Sequence, residues 1–300
     1  MLKKRISPVQ YLTSSVTSKD GTAIGYRHLG HGPGVLLLHG GMSSGHNHME
    51  LAGALSDSFT VNLPDRRGRC YSGPFGDHYS IEKEVEDVNA LLTKTGAHDV
   101  FGLSSGALIT LEAALTLPAI HKAAIYEPPF FLDRSIPAAV LRRFDEEMAQ
   151  GKMAAALITA MKGAQAGPPV FNIMPRWLLE LLTSMAMKSE DRKGKGDYVP
   201  VRDLAPTLHY DFQLVVEMSG TLARFATTPV EMLLLGGSKS PAFLKLALEG
   251  LENVLPRVER VEFAGLGHAA SWNSDRGGNP EPVAQELRRF FAEPNVPSLS

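Results

Sequence analysis

Short apolar runs alternate with stretches of helical periodicity over residues 14–130. Residues 35–38, Val-Leu-Leu-Leu, are apolar without interruption, the pattern of a strand buried on both faces of a parallel sheet. Residues 60–63, 99–101 and 122–126 read as further strands. Between them, Ile81, Val85, Val88, Leu91 and Leu92 share one side of a helix predicted over 80–92. Residues 106–117 are rich in Ala and Leu and stop at Pro118, as a second helix would. Upstream, residues 16–18 and 23–28 flank Lys19-Asp20-Gly21, turn chemistry that predicts a hairpin. Strands alternating with helices predict an α/β fold with a largely parallel sheet flanked by helices.

The pattern changes over residues 131–228. Helices are expected at 138–148, 153–161, 176–187 and 214–225, with loops at Gly167-Pro168-Pro169 and along the charged run 188–195. Strand patterns return at 230–235 and 258–263, followed by a helix over 282–291 with Val283, Leu287, Phe290 and Phe291 on its apolar side. The organisation expected is a core of residues 1–130 and 229–300 with an inserted helical cap or lid, residues 131–228. The Pro-containing tail 293–300 is expected to be loosely held.

Three loops at predicted strand ends carry candidate chemistry. Gly102-Leu103-Ser104-Ser105-Gly106 lies between an apolar strand and a helix, the context of the G-x-S-x-G elbow that exposes a nucleophilic serine above a sheet. Its structural alternative is a tight turn with a capping serine. His39-Gly40-Gly41-Met42 follows the strand at 35–38; a glycine-rich loop lets backbone N–H groups approach a developing oxyanion. Gly41 is the expected first donor and the N–H of Ser105 the second, with His39 ordering the loop. Gly265-Leu266-Gly267-His268 follows the last strand. A histidine there, after the serine in chain order, is placed to take its proton.

With these residues in view, the chain resembles the α/β-hydrolase family over nearly its whole length. The resemblance rests on Leu38-His39-Gly40-Gly41, Asp65-Arg66-Arg67-Gly68-Arg69, the elbow at Ser104, Tyr126-Glu127-Pro128-Pro129 and Gly267-His268. It implies a Ser–His–acid triad. It also exposes a departure. The family's usual acid follows the penultimate strand, where this chain reads Leu235-Gly236-Gly237-Ser238-Lys239-Ser240-Pro241 without a carboxylate. Lys239 stands at the acid's expected place, and a cation there would oppose an imidazolium. Some family members place the acid after the strand following the elbow, which nominates Glu127. The expected triad is Ser104, His268 and Glu127. Asp275 is the weaker alternative acid, and a dyad without an acid is the remaining one.

Other residues are expected to be structural. Asp65 would hold loop N–H groups; the neighbouring arginines would order the loop or, alternatively, recognise an anion. Cys70 has no elbow around it. His46 and His48 lack an acidic partner in sequence, so a metal site is not expected. The methionines at 148, 153, 161, 174, 185, 187 and 218 lean the reading towards an apolar ligand.

Composition narrows the function further. With 30 Lys and Arg against 32 Asp and Glu, the formal net charge is -2, so the electrostatic footprint of a nucleic-acid binder is missing. A single cysteine excludes an internal disulfide. No apolar run reaches the roughly 20 residues that span a bilayer, and the basic start Met1-Leu2-Lys3-Lys4-Arg5 has no hydrophobic segment behind it. The expectation is a cytoplasmic serine hydrolase of a carboxylic ester, thioester or lactone. It would act on a small, apolar molecule without a cofactor, metal, nucleic acid or membrane, with room for a homodimer. The alternatives are a hydrolase of a diketone carbon–carbon bond and a ligand-binding protein with a degenerate hydrolase site.

Overall fold

A computed structural model describes residues 10–131, 133–165, 170–193 and 198–293. The expectations for Met1–Arg5, for Gly167-Pro168-Pro169 and for the tail beyond residue 293 lie outside the described residues.

Eight strands form one sheet: β1 Leu12–Thr17, β2 Ala23–Gly30, β3 Gly34–Leu38, β4 Thr60–Pro64, β5 Ala97–Leu103, β6 Lys122–Tyr126, β7 Glu231–Gly237 and β8 Val258–Phe263. Their spatial order is β1-β2-β4-β3-β5-β6-β7-β8. The β1–β2 hairpin is antiparallel and β2 pairs antiparallel with β4; all later pairings are parallel. The two-residue period of a strand sorts its side chains between two cores. Leu36, Leu38, Val100, Ala123, Ile125, Met232 and Leu234 face one cluster, while Val35, Leu37, Phe101, Leu103, Ala124, Leu233 and Leu235 face the other.

Helices cover both faces, which is why the central strands are apolar throughout. Helix α1, Met49–Leu55, contributes Leu51 and Leu55 to the second cluster. Helix α2, Ile81–Thr95, and helix α3, Ser105–Thr116, pack on the first.

Among the described residues between β6 and β7 are six α-helices: α4 Ser135–Ala149, α5 Met153–Gly163, α6 Val170–Ile173, α7 Arg176–Lys193, α8 Val201–Leu204 and α9 Leu208–Met218. Two of them differ from expectation. Helix α7 runs through residues 188–193, where the charged run predicts a loop, because Lys, Glu and Arg are good helix formers when their side chains face water. Helix α9 lies earlier than the predicted 214–225 and stops at Met218, before Ser219 and Gly220, whose φ is +77°. Residues 222–227 then form a 3-10 turn. Leu214, Val215 and Met218 of α9 join the sheet's first cluster, so this helix packs directly on the core.

Helix α10, Ala242–Val254, and helix α11, Pro280–Ala292, complete the fold. The first adds Leu248 and Leu251 to the first cluster, and the second adds Leu287 and Phe290 to the second.

Candidate active site

The sheet register brings the candidate residues to one edge. Leu103 pairs with Tyr126, and Tyr126 with Leu235. Ser104, Glu127 and Gly236 are therefore the next residues on three neighbouring strands. The ladder continues one step further: the N–H of Ser104 donates to Tyr126 O at 3.0 Å and the N–H of Glu127 to Leu235 O at 3.1 Å.

Ser104 has φ 56° and ψ -122°, a conformation disfavoured for a residue with a side chain and of the kind held at functional sites. The flanking glycines let the chain turn so tightly. A Cβ on Gly106 would come within 2.5 Å of Leu38 O, and one on Gly102 within 2.3 Å of Gly106 O. The loop after β3 lies against this turn, since a Cβ on Gly40 would meet the Ser104 Cβ at 2.8 Å.

His39 orders that loop. Its Nδ1–H donates to Gly40 O at 2.8 Å and its Nε2 accepts the N–H of Arg66 at 3.1 Å. Burial first, and then the charges of Arg69 and Arg66, push its pKa well below the ordinary value, so the ring is neutral.

His268 donates Nδ1–H to Glu127 Oε2 at 2.8 Å. Glu127 is fully buried, also has a positive φ of 46°, and accepts the N–H of Gly237 on Oε1 at 2.6 Å. Its carboxylate reaches over the end of β7, where a Cβ on Gly236 would lie 3.3 Å from Oε1. Tyr126 steadies the histidine loop by donating its hydroxyl to Gly267 O at 3.0 Å. An imidazole whose Nδ1–H is committed to a carboxylate presents a bare Nε2 as proton acceptor.

The remaining acid candidates lie elsewhere. Lys239 is exposed, with its N–H on Leu266 O at 2.8 Å. Asp275 accepts the Tyr198 hydroxyl at 2.6 Å.

Ser104, Ser105, Gly40, Gly41 and His268 line one cavity of about 400 Å³. Its other walls are apolar, with Met42, Phe131, Val140, Met161, Phe212 and Trp272 among them. Asp211, from α9, is the one carboxylate among the described residues of the wall. Sequence reasoning missed it, although an acid between Leu208, Leu214 and Val215 on a helix's buried face signals a buried cation.

Asp211 Oδ1 accepts from Arg66 Nη1 at 2.9 Å and from the Ser105 hydroxyl at 2.8 Å, and Oδ2 accepts from Arg69 Nη2 at 2.5 Å. Burial alone would raise its pKa; the two guanidinium charges and the hydroxyl hold it below the ordinary value.

All three arginines of the 65–69 loop are engaged. Arg66 also binds Glu84, and Arg67 binds Asp87 and Asp20. Among the described residues, Arg69 Nε and Nη1 are buried without a hydrogen-bond partner, and Arg69 and Arg27 border a second cavity. Asp65 accepts from Arg27 and from the N–H groups of Gly45 and Tyr71.

His48 donates Nδ1–H to Ser271 O at 3.0 Å, and the His46 ring meets Tyr198 edge-on. Among the described residues no cluster of three or more His, Cys, Asp or Glu is arranged to hold a metal, and no helix is long and apolar enough to cross a membrane.

Residues 35–286 match the family model described as the alpha/beta hydrolase family. A solved alpha/beta hydrolase from Sphaerobacter thermophilus is 30% identical, with a TM-score of 0.75, covering 93% of this chain and 100% of that one. The enol-lactonase from Burkholderia xenovorans shares the fold at 17% identity and a TM-score of 0.67, covering 93% of this chain and 100% of its own.

Among curated relatives, an uncharacterized hydrolase of Bacillus subtilis is 34% identical over 113 residues, or 36% of this chain and 42% of that protein. A pimeloyl-[acyl-carrier protein] methyl ester esterase of Xanthomonas axonopodis is 23% identical over 267 residues, 88% of this chain and 97% of that protein. The extent of the family match, with the elbow, the glycine loop and the histidine loop at one sheet edge, makes the chain a hydrolase belonging to the alpha/beta hydrolase family.

Proposed function

We propose that the protein is a serine hydrolase that cleaves a carboxylic ester, thioester or lactone through an acyl-enzyme. The observation that carries the reading is that a serine in a strained backbone conformation and a carboxylate-held histidine line one apolar cavity. In this reading His268 Nε2 takes the proton from Ser104 Oγ as the oxygen adds to the substrate's carbonyl carbon. The N–H groups of Gly41 and Ser105 donate to the oxyanion that forms. The tetrahedral centre collapses, the proton on His268 passes to the departing alkoxide or thiolate, and the acyl group remains on Ser104. Water then gives its proton to His268, adds to the acyl carbon, and Ser104 leaves with the proton. Glu127 fixes the tautomer and balances the imidazolium.

The helical segment between β6 and β7 serves as a cap, since residues of α4, α5, α7 and α9 contribute to the cavity wall. With no uncommitted cation among the described lining residues, the cavity favours an uncharged, apolar acyl or alkyl group. A degenerate binding site was attractive only while position 239 left the histidine without an acid, and Glu127 removes that motive. The esterase named among the relatives and the solved enol-lactonase are consistent with the bond class.

The test is release of p-nitrophenol from short- and medium-chain esters, with fluorophosphonate labelling in parallel. Ser104→Ala should lose at least about 10⁴-fold in kcat and all labelling while unfolding at the same temperature. Retained turnover would falsify the elbow assignment. Product analysis on a diketone separates carbon–carbon cleavage from ester cleavage.

A further inference from the structure

The backbone and the side chain of Ser105 are engaged differently. Ser105 is the first residue of α3, so its N–H has no intrahelical acceptor and remains available to an oxyanion. Its hydroxyl is held from two sides. It donates to Asp211 Oδ1 at 2.8 Å and accepts from Arg66 Nη1 at 3.0 Å. Ser105, Asp211 and Arg66 are all buried, so water competes little for these bonds. Asp211 also borders the loop of the other expected donor: a Cβ on Gly41 would lie 3.1 Å from its Oδ2. One carboxylate, carried by α9, thus stands against the residues of both expected N–H donors.

A lone carboxylate so near a developing oxyanion would repel it. The two guanidinium groups on Asp211 offset that field and keep the carboxyl in its charged form. Glu84 takes Arg66 by Nε and Nη2, which leaves Nη1 for Asp211 and Ser105. Neutralising the arginines does not by itself account for where Asp211 stands. Arg66 already has Glu84, and Arg69 keeps Nε and Nη1 without a hydrogen-bond partner even with Asp211 in place. The oxygen of Asp211 that accepts two hydrogen bonds is the one that meets Ser105.

Resting on the proposed acyl-enzyme chemistry, we infer that Asp211 is a positioning residue of the oxyanion hole. Clamped by Arg66 and Arg69, it fixes the Ser105 side chain and backs Gly41, so that the two N–H groups converge on one point. Preorganised donors stabilise the transition state because they need not reorient as charge develops. The hole is then completed by a helix of the inserted segment, and Asp211 acts on it through the Ser105 hydroxyl.

Ser105→Ala keeps the N–H and the ion cluster and deletes only the hydroxyl. On a p-nitrophenyl ester it should lower kcat about 10–100-fold, less than the ~10²–10³-fold for loss of a whole donor. KM should stay within about twofold, as for an interaction made only in the transition state. Affinity for an alkyl trifluoromethyl ketone, whose adduct with a serine carries an oxyanion, should fall by the same factor as kcat. Asp211→Asn should lower both as well, and in the Ser105→Ala background it should add less than about twofold, because the two residues share one effect. Ser104→Ala separates the two levels of the assignment. Retained turnover in Ser104→Ala overturns the serine hydrolase itself. Lost turnover there, with Ser105→Ala within twofold of wild type in kcat and in ketone affinity, overturns only the role of Asp211. So would a Ser105→Ala effect confined to KM or to melting temperature, or fully additive effects of the two substitutions.

Discussion

Glu127 and Lys239 stand one strand apart, yet only the first meets the histidine. The carboxylate crosses the end of β7 because Gly236 leaves room for it and the N–H of Gly237 donates to its second oxygen. Glu127→Gln keeps the shape and removes the charge, so kcat should fall about 10²–10⁴-fold with KM little changed, measured on the best p-nitrophenyl ester. Lys239→Ala should leave both constants within about twofold, as expected of an exposed surface position. An almost silent Glu127→Gln would remove Glu127 from the proposed triad. Residue-level legibility followed chain context. Ser104, His268 and Gly41 announce themselves by glycines at strand ends. Glu127 needed the family comparison, because nothing local separates a buried acid beside a proline pair from a structural one. Asp211 stayed hidden because its partners Arg66 and Arg69 lie more than 140 residues away in sequence.

At the scale of elements, α9 joins the helical segment to the sheet's core. It is apolar on the side that meets the core, and Asp211 is the exception, clamped between two arginines and Ser105. Removing one member of a buried ion cluster strands the others in a low-dielectric interior. Asp211→Ala should therefore lower unfolding stability by about 3–5 kcal/mol, read from urea denaturation. A loss below about 1 kcal/mol would mean the cluster is solvated in solution. The strands from β2 to β8 were legible to within two residues at each end, but β1 begins at Leu12, four residues before the expected 16–18, because its exposed edge carries no apolar run. Helix ends were less so: the charged run 188–193 resembles a loop by composition, and only its continuity with α7 makes it helical.

Across the whole molecule, a buried histidine and a half-buried aspartate tie stability to pH in opposite directions. His48 is pushed down to about 4 by burial, which outweighs its hydrogen bond to Ser271 O. Its unfolded value is near 6.5, so the unfolded chain takes up the proton first and stability drains as pH falls from about 6.5 to 4. The full effect approaches 3 kcal/mol. Asp99 is pushed up to about 6 by burial, opposed by Lys122. Its contribution is lost as pH rises from about 4 through 6. In melting curves between pH 4 and 8, His48→Gln should lessen the loss towards acid. Asp99→Asn should gain over wild type above pH 6 and lose that advantage near pH 4. Equal pH slopes for all three proteins would contradict both assignments.

The placement of Glu127 has a further consequence for how such a chain can diversify. The proposed nucleophile Ser104 and the proposed acid Glu127 stand 23 positions apart by subtraction, within one uninterrupted β5–α3–β6 unit, and the helical segment enters only after Glu127. Exchange, lengthening or loss of that segment therefore changes the distance along the chain to His268 alone. Recombination between β6 and β7 can redraw the range of accepted molecules while the Ser–Glu half of the machinery is inherited whole.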